Sequence, residues 1–238
     1  MAEPAELVAE PGRGRVFERA LRPGIADALG DRRVRLDAIA RWLQDVAYAD
    51  LLDAGFEERG VWIVRRMRLR VESWPRFGEP ATLRTYCSGL GRFSAERRTS
   101  IASPSGAVEA VALWVWIDES GRPGRFDERF KGIYATSAGE RGASVRLRHP
   151  EPAENSERRP WTFRAADLDV AGHVNNSHFW EPLEELLAGS EPGPVDAEIE
   201  HREPALAGPA VVIGDRDAHW IAGADGTVHA SIQVVWPG

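Results

Sequence analysis

The 238-residue sequence predicts an α+β fold in which a helix wrapped by an antiparallel sheet is built twice along one chain. Three observations predict it. An apolar period of 3.6 over residues 36–51 gives way to a period of 2 beyond Gly55. The same order of elements restarts after a stretch rich in Gly, Pro and charge. A turn-plus-strand segment of one half also aligns without a gap against a segment of the other.

The elements follow in order. Ile39, Trp42, Leu43, Val46, Ala47 and Leu51 recur at helical spacing, with Arg41, Gln44, Asp45 and Asp50 between them, and Gly55 is placed to end the helix. Met67, Leu69 and Val71 alternate with Arg66, Arg68 and Arg70, the pattern of a strand with one face on a core and one toward solvent. Pro75, Gly78 and Pro80 mark a turn. Residues 81–86 and 92–101 read as further strands, Pro104-Ser105-Gly106 as the next turn, and the nearly unbroken apolar run 108–117 as a central strand covered on both faces. Residues 118–160 read as connecting chain. A second helix is expected from Val174, with Phe179, Leu183, Leu186 and Leu187 on one face and Pro182 set to kink or interrupt it. Strands at 197–201, 210–213, 217–221 and 227–236 complete the second half.

The segment from Gly106 to Trp116 matches that from Gly226 to Trp236 position by position, and Arg33-Val34 pairs with His173-Val174 at the head of each helix. A duplicated unit whose halves join into one larger sheet follows, with residues 15–135 as first repeat, 136–160 as linker and 161–238 as second repeat.

Composition narrows the function. Hydrophobic residues at 43% and charged residues at 28% are an ordinary globular balance, which excludes a disordered or fibrous chain. A net charge of -7 argues against a nucleic-acid binder. Cys87 is the only cysteine, so no internal disulfide or cysteine metal cage can form, and a buried structural thiol is expected there. The first residues carry acids and prolines where a signal peptide needs a basic end and an apolar run, so a loose terminus is expected. No apolar run approaches the roughly 20 residues of a membrane-spanning helix, and a cytoplasmic protein is expected. His149, His178, His201, His219 and His229 lack metal-ligand spacing, so neither metal nor cofactor is expected.

Two sets of residues carry a family resemblance. The first half has Trp62-Ile-Val-Arg-Arg-Met-Arg-Leu-Arg-Val71, Trp74-Pro75, Thr85, Gly91-Arg92, Arg97 and Gly106 leading to Ala112-Leu-Trp114; the second has Asp167-Leu-Asp169-Val-Ala-Gly-His173-Val-Asn-Asn176. From Val16 to Trp236 the chain resembles the acyl-acyl carrier protein thioesterases of plants and bacteria, whose fold is the double hotdog. The resemblance implies hydrolysis of acyl carrier protein thioesters, the partner being the carrier with its acyl-phosphopantetheine arm, and a monomer or homodimer. It carries Asp169 and His173 over as catalytic residues. It departs at Ala171, where the family pattern has Asn, and at Pro204, where it has an acid that a one-residue shift would supply as Glu203. These departures keep a non-catalytic acyl-binding protein open as an alternative, beside an acyl-coenzyme A thioesterase.

Thioester hydrolysis needs an activated water and stabilisation of the charge that develops on the carbonyl oxygen. Asp169 and His173, four residues apart at a loop-to-helix junction, are placed to orient or activate water and to act as base or donor. Unpaired amides around His173, Val174 and Asn175, with Gly172 allowing close approach, would face the acyl oxygen. Asn175 or Asn176 would cap the helix or bind the substrate carbonyl. The first repeat has Leu29 and Arg33 at the positions of Asp169 and His173, so it is expected to supply pocket walls instead, from Trp42, Trp62, Trp114 and Trp116. Arg65, Arg66, Arg68, Arg70, Arg97 and Arg98 would either dock an acidic carrier or form the solvated face of a strand.

Overall fold

Ten strands form one antiparallel sheet in the computed structural model, which describes residues 4–56, 60–188 and 193–236. The first half contributes β1 (Val16–Leu21), β2 (Gly60–Ser73), β3 (Ala81–Leu90), β4 (Ser94–Ala102) and β5 (Ala107–Asp118). The second contributes β6 (Arg158–Phe163), β7 (Val195–His201), β8 (Gly208–Gly214), β9 (Ala218–Gly223) and β10 (Val228–Val235). Their order, β1-β3-β4-β5-β2-β7-β10-β9-β8-β6, is the same five-strand order read inward from either edge. This is the double hotdog arrangement, and the seam between repeats is the β2–β7 pair. Residues 189–192 and 237–238 of the expected second repeat lie outside the described residues.

Helix α1 (Leu36–Asp53) lies against the inner face of this sheet, because Ile39, Trp42, Leu43 and Val46 form a stripe that meets Met67, Leu69 and Val71 in the main core. Gly55, at φ 76°, turns the chain away after it. The counterpart in the second repeat is broken: a 3-10 segment (Asn176–Trp180) runs directly into the short helix α3 (Glu181–Leu187), with Pro182 in its first turn. Proline fits a first turn, where its missing N–H has no helical partner, so the helix restarts there rather than bending around it. Phe179, Trp180, Leu183 and Leu187 are its buried face.

At the seam, Arg66, Arg68 and Arg70 of β2 stand opposite Glu200, Glu198 and Asp196 of β7. Arg68 grips Asp196 through two bonds of 2.7 Å, and Arg70 joins it at 3.0 Å. Arg66 lies 3.9 Å from Glu198. Arg97 pairs with Asp50 of α1 at 2.7 Å, and Arg98 with Glu109. Of the six arginines expected to dock a carrier or face solvent, Arg66, Arg68, Arg97 and Arg98 do neither: they are buried, each beside an acid, as a buried charge requires, whereas Arg65 and Arg70 are only half-buried and Arg65 donates to the Arg202 carbonyl at 2.8 Å.

What buries the seam is chain that the sequence left structureless. The amide of Ala5 donates to Glu198 at 2.7 Å, its carbonyl accepts from Arg68, and the Val8 carbonyl accepts from Tyr86 at 2.8 Å. From residue 4 onward the expected loose terminus is thus a strap on the outer face; Met1 to Glu3 lie outside the described residues. The stretch after Ala138 is a second strap, its Arg148 and His149 amides donating to Glu200 at 2.7 and 2.9 Å. Between them the supposed connection holds α2 (Glu128–Ala138), capped by Asp127 accepting the Phe130 amide at 2.7 Å.

Candidate active site

The second helix is reached through a 3-10 turn (Ala165–Asp167) after β6. Buried Asp167 sets this turn. Its Oδ2 accepts the Arg164 amide at 2.8 Å and its carbonyl accepts the Asn175 amide at 2.9 Å. Burial would raise its pKa, but the bonds from Arg164 outweigh that and hold the carboxyl below its ordinary range. The chain then doubles back, with the Asp169 amide donating to the His173 carbonyl at 2.8 Å and the Gly172 amide to the Asp169 carbonyl at 2.9 Å. Gly172 takes φ 75°, a conformation that glycine adopts without strain.

Asp169 and His173 are thereby held in one turn. Asp169 is half-buried and its Oδ1 accepts the Ala171 amide at 2.9 Å; His173 is exposed. Their side chains do not bond to each other. The Val174 amide is committed to the Ala205 carbonyl and that of Asn175 to Asp167, both at 2.9 Å. Of the three amides proposed for the acyl oxygen, only that of His173 lacks a protein partner among the described residues. Asn175 is the cap: its Oδ1 accepts the Ser177 amide at 2.9 Å, the Ser177 hydroxyl at 2.8 Å and Nε2 of Gln44 at 3.0 Å. Asn176 is half-buried beside it.

Glu203 is exposed on the loop after β7, where its carbonyl accepts from His229 at 3.3 Å. Two residues further along, Ala205 is the one that touches the Asp169–His173 turn, so Glu203 sits near it without bonding to Asp169 or His173.

A cavity of about 540 Å³ opens beside α1, within the range of small-molecule sites. Tyr48, Leu51, Phe56, Trp62, Trp116, Phe126 and Phe130 line it, with Arg125, Asp127 and Arg129 at the rim. Trp62 stacks on Phe126 with centroids 5.6 Å apart, and Phe126 on Phe130 at 4.4 Å. Trp62 and Trp116 are thus walls. Trp42 and Trp114 are not among the residues lining this cavity and instead pack in or against the main core. The far wall comes from α2 and the loop before it, which sequence reasoning read as linker; the spacing of Phe126, Phe130 and Tyr134 was the available signal.

Among the described residues two groups could hold a cation, His149 with Glu198 and Glu200, and Asp167 with His178 and Glu181, the donor atoms of each lying within 4.8 Å of one another. Both already have internal partners. The Glu181 carboxylate bonds His178 at 2.8 Å and raises its pKa above the ordinary value. The two histidines are brought to these acids by the fold, which sequence spacing did not show.

The curated sequences that resemble this chain include the uncharacterized protein Rv2001 of Mycobacterium tuberculosis, 26% identical over 212 residues, which span 87% of this chain and 85% of that protein. Among solved structures, the 12:0-ACP thioesterase of Umbellularia californica superposes with a TM-score of 0.74 at 16% identity, covering 93% of this chain and 94% of that one. An acyl-ACP thioesterase of Bacteroides thetaiotaomicron gives 0.75 at 14% identity, over 93% and 98%. These two show the fold. Residues 14–128 match the acyl-ACP thioesterase N-terminal domain and residues 150–236 the C-terminal domain. With one domain on each repeat, and in the order of the repeats, the chain belongs to the acyl-ACP thioesterase family.

Proposed function

We propose that the protein hydrolyses acyl thioesters borne on acyl carrier protein, releasing free fatty acid and the thiol of the carrier's pantetheine arm. One observation carries the reading: the turn holding Asp169 and His173 contacts α1 through Asn175 and Gln44, and Tyr48, one helical turn beyond Gln44, lines the aromatic cavity. Four residues of helix advance about 6 Å. An acyl chain in the cavity would therefore bring its thioester to the head of the second helix.

There, the free His173 amide is a donor for the carbonyl oxygen as charge develops on it. Asp169 keeps one carboxylate oxygen free of the turn and orients the attacking water, with Glu203 as the further acid. The water oxygen bonds to the acyl carbon, its proton passes to the acid–base pair, and the carbon–sulfur bond breaks as His173 returns a proton to the leaving sulfur. Gly172 and Val174 shape the turn, Asn175 and Asn176 flank the carbonyl, and Trp62 walls the acyl chain. Arg125 and Arg129 at the rim suit an acidic carrier and its phosphate. Among the described residues no helix is long and apolar enough to cross a membrane. A cytoplasmic protein acting as monomer or homodimer completes the proposal.

Ala171 and the exposure of Glu203 favour one second reading, an acyl-binding protein without turnover. The test is thiol release from a panel of acyl carrier protein and acyl-coenzyme A substrates. Wild type should release thiol from carrier-borne substrates, and Asp169→Asn and His173→Ala should each lower kcat/KM at least 100-fold while remaining folded. Retention of acyl carrier without turnover would establish the second reading, and a preference for coenzyme A would move the substrate class.

A further inference from the structure

The two repeats agree hydrogen bond for hydrogen bond at the head of each helix. Gly24 donates to Asp27 at 2.7 Å as Arg164 does to Asp167 at 2.8 Å. Leu29 donates to the Arg33 carbonyl at 2.9 Å as Asp169 does to that of His173 at 2.8 Å. Arg35 donates to the Asp27 carbonyl as Asn175 does to that of Asp167, both at 2.9 Å. Arg32 takes φ 72° where Gly172 takes 75°. The bonds bear out the sequence pairing of Arg33 with His173 and extend it to Arg35 with Asn175 and, by the same spacing within the helices, to Gln44 with Glu184.

At both places the helix of one repeat sends a side chain to the head of the other repeat's helix. Glu184 accepts the Leu36 amide at 2.8 Å and clasps the guanidinium of Arg33, all of it buried. That ion pair fills the space where the first repeat would hold a histidine. Gln44 does the equivalent for the second repeat, but as a neutral carboxamide: its Nε2 donates to Asn175 Oδ1 at 3.0 Å, and its Oε1 accepts from Asn175 Nδ2 at 3.4 Å. Gln44 and Asn175 are both half-buried, so this contact is neither sealed nor loose.

We propose that Gln44 is a positioning residue of the active site, supplied by the first repeat, which fixes the cap Asn175 and through it the turn that presents His173. The inference rests on the reading of that turn as the catalytic one. Neither repeat then holds a complete site: the second lacks Gln44, and the first has its equivalent place closed by Arg33 and Glu184. A carboxamide is the group that suits the place, since it donates to Asn175 Oδ1 and accepts from Asn175 Nδ2 at once; a carboxylate would set acceptor against acceptor. Because Asn175 Oδ1 also holds the first turn of the helix, a shift at Gln44 is passed directly to the neighbouring His173. Displacements of about 1 Å in such supports cost on the order of 100-fold in rate.

The experiment compares Gln44→Met, which keeps the length and loses both bonds, with Gln44→Glu, Asn175→Ala and the Gln44→Met/Asn175→Ala double variant, by thiol release and by thermal unfolding. Gln44→Met should lower kcat 10- to 100-fold with KM within threefold and Tm within 3 °C. The double variant should be no worse than Asn175→Ala, since the two residues act as one unit. Gln44→Glu should be impaired near neutral pH and regain activity relative to wild type on acidification, as a protonated carboxyl can donate again. A kcat within twofold of wild type in Gln44→Met, additive losses in the double variant, or a rate loss matched by lost folding would each overturn the inference alone. A wild-type protein releasing no thiol, or full activity in His173→Ala, would overturn the functional reading and this one with it.

Discussion

Replacing Glu184 by alanine removes a carboxylate that serves two partners, both buried: the guanidinium of Arg33 and the Leu36 amide at the head of α1. Arg33 is 3% and Glu184 5% exposed, so water cannot take over either bond. Removing one partner of a buried ion pair costs about 3–5 kcal/mol, because the remaining charge loses its compensation, and exposed Asp31, 4.0 Å from Arg33 Nε, is too distant and too solvated to replace Glu184. Arg33 keeps its stacking on Trp74, at 4.4 Å from the ring, which does not offset the lost acid. At roughly 2–4 °C per kcal/mol for a chain of this size, Tm should fall by about 6–20 °C in calorimetry or circular dichroism. Glu184→Gln, which still accepts the Leu36 amide, should lose less. Arg33→Met combined with Glu184→Met should recover most of the loss, since apolar side chains of similar volume replace buried pairs at little cost. A Glu184→Ala variant within about 1 kcal/mol of wild type, or a double variant worse than the single, would refute this account of the pair.

Other outcomes follow from the same structure. Trp62→Ala removes a half-buried ring from the cavity wall and should widen substrate choice toward bulkier or longer acyl chains, read as kcat/KM across a chain-length series; an unchanged profile would take Trp62 out of the pocket. Burial pushes the His219 imidazole down to about 4, against 6.5 in the unfolded chain. The unfolded state therefore binds more protons between those values, and stability present above pH ~6.5 is lost on acidification, about 2 kcal/mol from pH 7 to 5. His219→Phe should flatten that slope in urea unfolding. Burial likewise pushes the Cys87 thiol up to about 11, so a disulfide reagent should leave it untouched in the native protein at pH 8 and react fully in urea.

The repeat was legible because it rests on local patterns: the stripe of Ile39, Trp42, Leu43 and Val46, the alternation of Met67, Leu69 and Val71, and the ungapped match up to Trp116 and Trp236. Edge strands β1 and β6 were not, since an edge needs no apolar alternation and tolerates Pro160. Helix α2 was hidden by Gly132 and a weakly apolar face. Arg66 and Arg68 of β2 were misread because their acids lie some 130 residues away on β7, and pattern within a strand does not reveal a partner strand. For the candidate site the sequence proposed Asp169, His173, Glu203 and Trp62, of which the fold holds Asp169 and His173 in one turn, sets Trp62 in the cavity wall and leaves Glu203 exposed. It could not supply Gln44, which meets Asn175 across 131 residues of chain, nor the fact that the Val174 and Asn175 amides are taken.

The charged seam also bears on why the two repeats stay on one chain. Met67 and Ile199 face each other across the seam and pair on their other side with the matching positions Ala112 and Ile232, so the symmetry relating the repeats passes through the Met67–Ile199 pair. Two copies of the first half associating about that centre would oppose Arg66 to Arg68 twice over, and two copies of the second would oppose Glu198 to Glu200, each a clash of like charges on facing strands. Both self-pairings are therefore disfavoured against the mixed one at this strand, by about 0.2–1 kcal/mol for each like-charge pair. Severed into separate polypeptides, the halves should pair with each other in preference to themselves, the duplicated unit keeping its symmetry in the backbone and losing it in the charges.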